Sequence, residues 1–291
     1  MLKRITSFLI TLGSILLPFV LCISLIFATV YFSVYSPEEF TKGVSEKIDE
    51  HMLDEQIKKL LKTTAETYGF DSEVLLSTLD KEDLKLKAGE YFTEYYLSFL
   101  SGNPQAPTLT YSNDSMSNTI KESSHLSERP EVFALEENIT FFISKCINTV
   151  EASLNSLSAN SIYSLLLSGR NSYLKIVNCG KYFIPLSVIF TALSVVLTFF
   201  IISHKRYKTA YITTLSVFGI TTLFSIPMTF MNLMNLHMNL NINIGPAITY
   251  VDAVYSYTFS RLSVIYLSVS FIALVLFIAS VVWMQSEKQS T

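Results

Sequence analysis

Half of the 291 residues are apolar, only 15% are charged, and the formal net charge is −3. A typical soluble domain is about a quarter charged, so this composition excludes an average soluble protein. The charges are also segregated: residues 37–178 hold 22 acidic and 13 basic side chains, and the rest of the chain holds 2 and 8. One part reads as a polar, acidic domain and the other as membrane.

Four runs, residues 5–35, 182–203, 209–231 and 262–284, contain no Asp, Glu, Lys or Arg. A helix needs about 20 residues to cross about 30 Å of hydrocarbon. The expectation is an all-α membrane protein with transmembrane helices over residues 5–35, 181–203, 209–231 and 261–284. A large helical extracytoplasmic domain, residues 36–180, is inserted between the first and second. The first run follows Lys3 and Arg4, as a signal peptide would. Its length is about twice that of a signal h-region, and no small-x-small site follows Tyr31, which favours an uncleaved anchor.

Orientation follows from Lys and Arg in the short loops. Lys3 and Arg4 precede the first run, Lys205, Arg206 and Lys208 fall between the second and third, and Lys288 follows the fourth. The loop 232–260 has no basic residue before Arg261. Both termini, the turn 204–208 and the tail 285–291 are expected in the cytoplasm of a multi-pass cell-membrane protein, with residues 36–180 and 232–260 outside. Lys205, Arg206 and Lys208 are the expected contacts to anionic membrane lipid or a cytoplasmic partner.

Beyond the first run, Ser36-Pro37-Glu38-Glu39 reads as a capping box with proline at the first helical position. One helix is expected from there to Tyr68-Gly69-Phe70, carrying Val44, Ile48, Met52 or Leu53, Ile57, Leu60 and Leu61 on its apolar face. Asp71 or Ser72 caps a short helix, and another runs from near Asp80 through Tyr91, Phe92, Tyr95 and Tyr96 to Gly102. Residues 103–127 read as an ordered loop or linker. Helix resumes near Pro130 with a stripe through Val132, Leu135, Ile139, Ile143, Cys146 or Ile147, Val150, Leu154 and Leu157, and a further short helix is broken at Gly169. Pro185 and Pro227 kink the second and third runs. A Met-Asn-Leu stretch from Met231 passes into an alternating segment stopped by Gly245-Pro246, and residues 251–261, with Tyr250, Tyr255 and Tyr257, re-enter the interface.

Chemistry-bearing patterns are sparse. Met228, Met231, Met234 and His237 recur every three residues with ligands that suit Cu(I), and they equally read as gap-filling methionines at a helix end. His51 with Glu55 at i+4, and Glu50 and Asp54 nearby, could orient an imidazole but reads as a charged, solvated helix surface. His51 and His125 are the histidines that an envelope enzyme would use. Cys146 and Cys179 both fall on the outer side, where a disulfide is permitted. Asp252 and Arg261 form a candidate interfacial ion pair. Asn113 and Asn138 start N-glycosylation patterns, relevant to a eukaryotic source, whereas the Lys, Ile, Ser and Asn bias fits a Gram-positive bacterium. No glycine-rich phosphate loop is present, which removes nucleotide hydrolysis by this chain.

One span, a large outer domain and three further spans resembles the layout of cell-division permease-like proteins that pair with a cytoplasmic ATPase, and of related macrolide-exporter permeases. The resemblance is one of topology. Those proteins have a longer cytoplasmic segment where this chain has Met1 to Arg4, so no site residue is carried over. The leading expectation is a non-enzymatic membrane protein whose outer domain binds a cell-envelope component or partner membrane protein, with no cofactor, metal or nucleic acid. The alternative is the permease-like subunit of an ATPase-coupled transport or signalling complex.

Overall fold

A computed structural model describes residues 37–158, 162–175, 207–234 and 245–290, with single helical positions at 8, 12, 178, 179, 182, 185, 188, 189 and 192. The first two expected spans, apart from those single positions, lie outside the described residues, as do Lys205, Arg206 and residues 235–244. All described elements are helical, with no strand among the described residues. They divide into two compact bodies, one of Pro37–Asn171 with Leu240–Tyr257, the other of the remaining chain.

In the first body the helices are α1 (Pro37–Lys47), α2 (Glu50–Tyr68), α3 (Ser72–Leu76), α4 (Lys81–Ser101), α5 (Asp114–Ser123), α6 (Glu136–Leu154) and, as far as Asn171, α7 (residues 162–175). Several boundaries are written locally. Asp71 and Asp80 cap α3 and α4 by accepting from Glu73 N at 2.8 Å and Glu82 N at 2.9 Å. Gly69 and Gly102 close α2 and α4 in the left-handed region, at φ 67° and 77°, where a side chain would be strained.

Three expectations are corrected. The single helix from Pro37 to Tyr68 is two, because Asp49 accepts from His51 N at 2.9 Å and Met52 N at 3.2 Å and starts α2 anew. The stretch read as loop contains α5, capped by Asn113 on Met116 N at 2.8 Å and anchored by Met116 and Ile120, both fully buried. Gly169 does not break α7, which is helical throughout residues 162–175.

The core joins Val44 and Ile48 to Leu53, Ile57, Leu61 and Ala65 of α2, Leu84 and Tyr91 of α4, and Phe142, Cys146, Val150 and Leu154 of α6. Each fully buried aliphatic or aromatic side chain contributes about 1.5–3 kcal/mol. Helices α1 and α4 approach closely at Gly89, whose missing side chain leaves room for Ser45; a Cβ there would lie 3.0 Å from Ser45 Cβ.

The second body contains α8 (Tyr207–Leu233) and most of α9 (Ile248–Ser290). They run antiparallel, with Tyr211 and Phe218 against Phe277 at 5.5 and 6.1 Å and Phe224 against Tyr266 at 6.2 Å. Thr214 and Ser280 hydroxyls meet at 2.9 Å, an interhelical bond suited to an apolar surrounding. Two stretches, Ala210–Met231 and Gly245–Ser286, are long and apolar enough to cross a membrane. Their apolar side chains also point outward, Leu223 being 68% and Phe271 67% exposed, the reverse of a soluble amphipathic helix. The 43 residues of α9 make about 64 Å of helix, twice a hydrocarbon core. The part before Thr258 belongs to the first body. The segment expected to lie at the interface, residues 251–261, is therefore helix, and its first turns are built into a protein core.

Candidate functional site

The seam between α2 and α6 carries the candidate site. The two helices run antiparallel: Tyr68 packs on Phe142 at 5.1 Å at one end. At the other end Tyr250 OH donates to Leu154 O at 2.7 Å and Thr249 Oγ1 donates to Gln56 Oε1 at 3.3 Å. The apolar stripes of α2 and α6 face each other and close the floor. One helical position off those stripes, Leu60 of α2 and Lys145, Asn148, Thr149, Ala152 and Ser153 of α6 line an open groove of about 440 Å³, with Pro246 as its end wall.

The lining follows from helix geometry. Thr149 Oγ1 donates to Lys145 O and Ser153 Oγ to Thr149 O, both at 2.8 Å. Those hydroxyls are satisfied by their own helix and leave mostly carbon facing the groove. Leu60 remains 41% exposed, whereas its neighbour Leu61 is buried. The groove thus offers carbon surface from Leu60, Ala152 and Pro246, one carboxamide from Asn148 and one ammonium from Lys145. That set suits recognition of a chain with apolar and anionic or carbonyl groups.

The segment that follows Pro246 is held by an aromatic cleft. Ala247, Tyr250, Ala253 and Tyr257 are buried along one side of the segment that opens α9. The Tyr250 ring lies nearly parallel to Phe92, 6.3 Å away at 12°, and edge-on to Tyr91 at 5.7 Å. Tyr257 stands edge-on to Phe40 at 5.7 Å, and its hydroxyl donates to Glu39 O at 3.4 Å. Below it, Tyr91 OH donates to Ser158 Oγ at 2.6 Å, because the single Ser158 proton goes to Pro107 O at 2.6 Å. Burial pushes the Tyr91 phenol up to about 12. The Tyr95 hydroxyl is buried with no partner, and burial, then Tyr91 and Tyr163 beside it, push its pKa up.

The residues singled out in the sequence fall elsewhere. Cys146 lies on the inward stripe of α6 as a buried free thiol, pushed up to about 12 by burial, and Cys179 is an exposed free thiol. The permitted disulfide is absent from this structure. Asp252 and Arg261 share α9, where nine residues are about 13.5 Å of rise and half a turn out of phase. At that spacing the two side chains do not meet, so they form no ion pair with each other. Lys208 is in the first turn of α8. Met228 and Met231 are on α8 and Met234 follows it, while His237 lies outside the described residues. No three potential His, Cys, Asp or Glu metal ligands converge among the described residues. His51 Nδ1 is 3.5 Å from Glu55 Oε1 on an open face, and His125 lies in a 3-10 turn after α5.

Sequence reading missed Gly43, and it placed Tyr250 and Tyr257 at a membrane interface where the structure buries them in a core. The signal was present as the helical spacing of Ala247, Tyr250, Ala253 and Tyr257, which the neighbouring aromatic residues disguised as an interfacial belt. Asp54, which by sequence belongs to the charged surface around His51, is instead buried between α2 and α4, with its Oδ2 at 2.8 Å from Lys58 and 3.4 Å from Lys81. Compared with known protein families, curated proteins and solved structures, the chain matches none of them.

Proposed function

We propose that this protein is a multi-pass membrane protein of the cell envelope that works by binding. Its helical body, outside the membrane, takes a partner membrane protein or an envelope component in the groove between α2 and α6. The observation that supports the reading is the packing of residues 245–257 into one core with residues 37–158. Two stretches that share a core lie on one side of a membrane, so the chain between them crosses an even number of times. Helix α8 is one crossing and the apolar run 182–203 supplies the other. The remainder of α9 then returns the chain to the cytoplasm, in keeping with four spans and with the basic residues on the inner side.

Two measurements test it. In a cysteine-free background, Glu128→Cys is expected to react with a membrane-impermeant maleimide on intact cells, and Lys205→Cys only after permeabilisation. Reaction of Lys205→Cys from outside refutes the orientation. Co-purification in mild detergent is expected to recover an envelope or membrane partner that Leu60→Asp loses and that Leu86→Asp, an exposed control on α4, retains. Equal retention by both refutes the groove, and a stoichiometric ATPase in the wild-type preparation replaces this reading with the permease-like subunit.

A further inference from the structure

We infer that residues 245–257 are a latch, a segment that seats in an aromatic cleft of residues 37–158 and, when seated, supplies the end wall of the groove. Filling the groove and seating the latch are then one coupled equilibrium. The coupling rests on reading the groove as a binding site; the latch itself does not.

The cleft is built without the latch. Phe40 meets Tyr96 at 4.8 Å and Phe92 at 6.2 Å, and Phe92 stacks on Tyr96 at 6.4 Å and 8°. These contacts hold three walls of the cleft in place from α1 and α4 alone. The latch enters through Gly245, at φ 58° in the left-handed region, and the chain just before residue 240 belongs to the other body. From Ile248 its backbone hydrogen bonds are those of its own helix. It can therefore leave without stranding backbone groups in the cleft, and once out of the core its terminal turns fray in water and exchange faster. Elements held in this way are the ones that open below the global unfolding free energy.

The fit is size-selective at Gly43. A methyl group there would overlap the Tyr257 ring, meeting Cε2 and coming within 2.6 Å of Cζ and 2.7 Å of Cδ2. The cleft accepts an aromatic ring at that point because α1 has no side chain there. Alanine in place of Gly43 favours α1 by its helix propensity, so a loss of latch seating in that variant cannot come from melting α1.

Coupling to the groove comes from Pro246, which lies one residue beyond Gly245 and faces Leu60 and α6. An occupant that touches Pro246 binds the seated state better than the released one. By linkage, seating then rises with occupancy and affinity rises with seating.

Hydrogen exchange on the full chain in lipid nanodiscs tests both parts. Gly43→Ala is expected to speed exchange at residues 248–257 at least tenfold while α2 and α6 keep their wild-type rates. In a Tyr257→Ala background the same substitution is expected to add less than twofold, because the ring it collides with is gone. Unchanged rates in Gly43→Ala overturn the latch. So does an equal rise throughout residues 37–158 that Tyr257→Ala does not relieve, since the segment is then ordinary core. For the coupling, the N-ethylmaleimide adduct of Ala152→Cys, made with Cys22 and Cys179 replaced by serine, stands in for an occupant. It is expected to slow exchange at residues 248–257 at least threefold, and equal or faster exchange overturns the coupling. Retention of the partner by Leu60→Asp, with Gly43→Ala still releasing residues 248–257, removes the groove and the coupling together and upholds the latch.

Discussion

Removing one hydroxyl from each of two buried tyrosines should shift stability in opposite directions. Tyr250 is 1% exposed, and its hydroxyl reaches Leu154 O at 2.7 Å. That carbonyl belongs to the last residue of α6, and the last four carbonyls of an α-helix have no partner within it. In Tyr250→Phe the ring contacts to Phe92 and Tyr91 remain, but the carbonyl is left buried without this donor, at a cost of about 1–3 kcal/mol. Tyr95 is 5% exposed and its hydroxyl has no partner, so that hydroxyl gave up its hydration without a replacement bond. Tyr95→Phe keeps the ring against Tyr163 at 5.2 Å and Tyr91 at 5.9 Å and relieves the desolvation. The expected effect lies between zero and about 1 kcal/mol of stabilisation. Pulse proteolysis of the full-length protein across a urea series reports the midpoint for each variant. Tyr250→Phe should unfold at lower urea and Tyr95→Phe at equal or higher urea. A loss of more than about 1 kcal/mol in Tyr95→Phe would show that its hydroxyl is bonded, and a neutral Tyr250→Phe would remove the bond that ties the start of α9 to α6.

Alkaline titration gives a second test. The Cys146 thiol rises from its ordinary 9.0 to about 12 and the Tyr91 phenol from 10.0 to about 12, both chiefly through burial. Folding therefore favours their neutral forms. Stability should be level with pH while both states are neutral, and should fall above pH 9 as the unfolded thiol ionises. The fall steepens above pH 10, when the Tyr91 phenol joins together with those of Tyr95 and Tyr250, which burial also raises, and the shares of Cys146 and Tyr91 end at about 12. Each group contributes a slope of about 1.4 kcal/mol per pH unit. In Cys146→Ala the decline measured by pulse proteolysis should start about one unit later, and an unchanged onset contradicts the burial of this thiol. At the far end of α4, the Arg170 guanidinium donates to Phe99 O at 3.0 Å and to Leu100 O at 2.6 Å, so Arg170→Ala should cost about 1.5–3 kcal/mol. Arg170→Lys should recover only part of this, because an ammonium cannot reproduce the planar fork; full recovery in thermal unfolding contradicts the contact.

Legibility followed the range of the interaction. Asp71, Asp80, Gly69 and Gly102 mark helix ends through bonds made within a few residues, so these ends can be read from a short window. The same chemistry at Asp49 was overlooked because the apolar stripe continues through Ile48 and Leu53, as it would in an unbroken helix. Helix α5 hid in a polar stretch because only Met116 and Ile120 are buried on it, too few to show a period. In the candidate groove, Leu60 and Leu61 are equivalent to any rule based on periodicity. The position of α6 buries Leu61 and leaves Leu60 at the opening.

The amino-acid sequence by itself determined the helical class, the apolar runs long enough for a membrane and most caps, because composition, period and short-range hydrogen bonding act along the chain. Only the tertiary structure decided that Cys146 is an inert core thiol, that Asp252 and Arg261 are carried half a turn apart on one long helix, and that Tyr250 and Tyr257 are core residues. Those outcomes depend on which surface comes to lie opposite. For Tyr257 that surface is Gly43, more than 200 residues earlier, and its informative feature is the absence of a side chain.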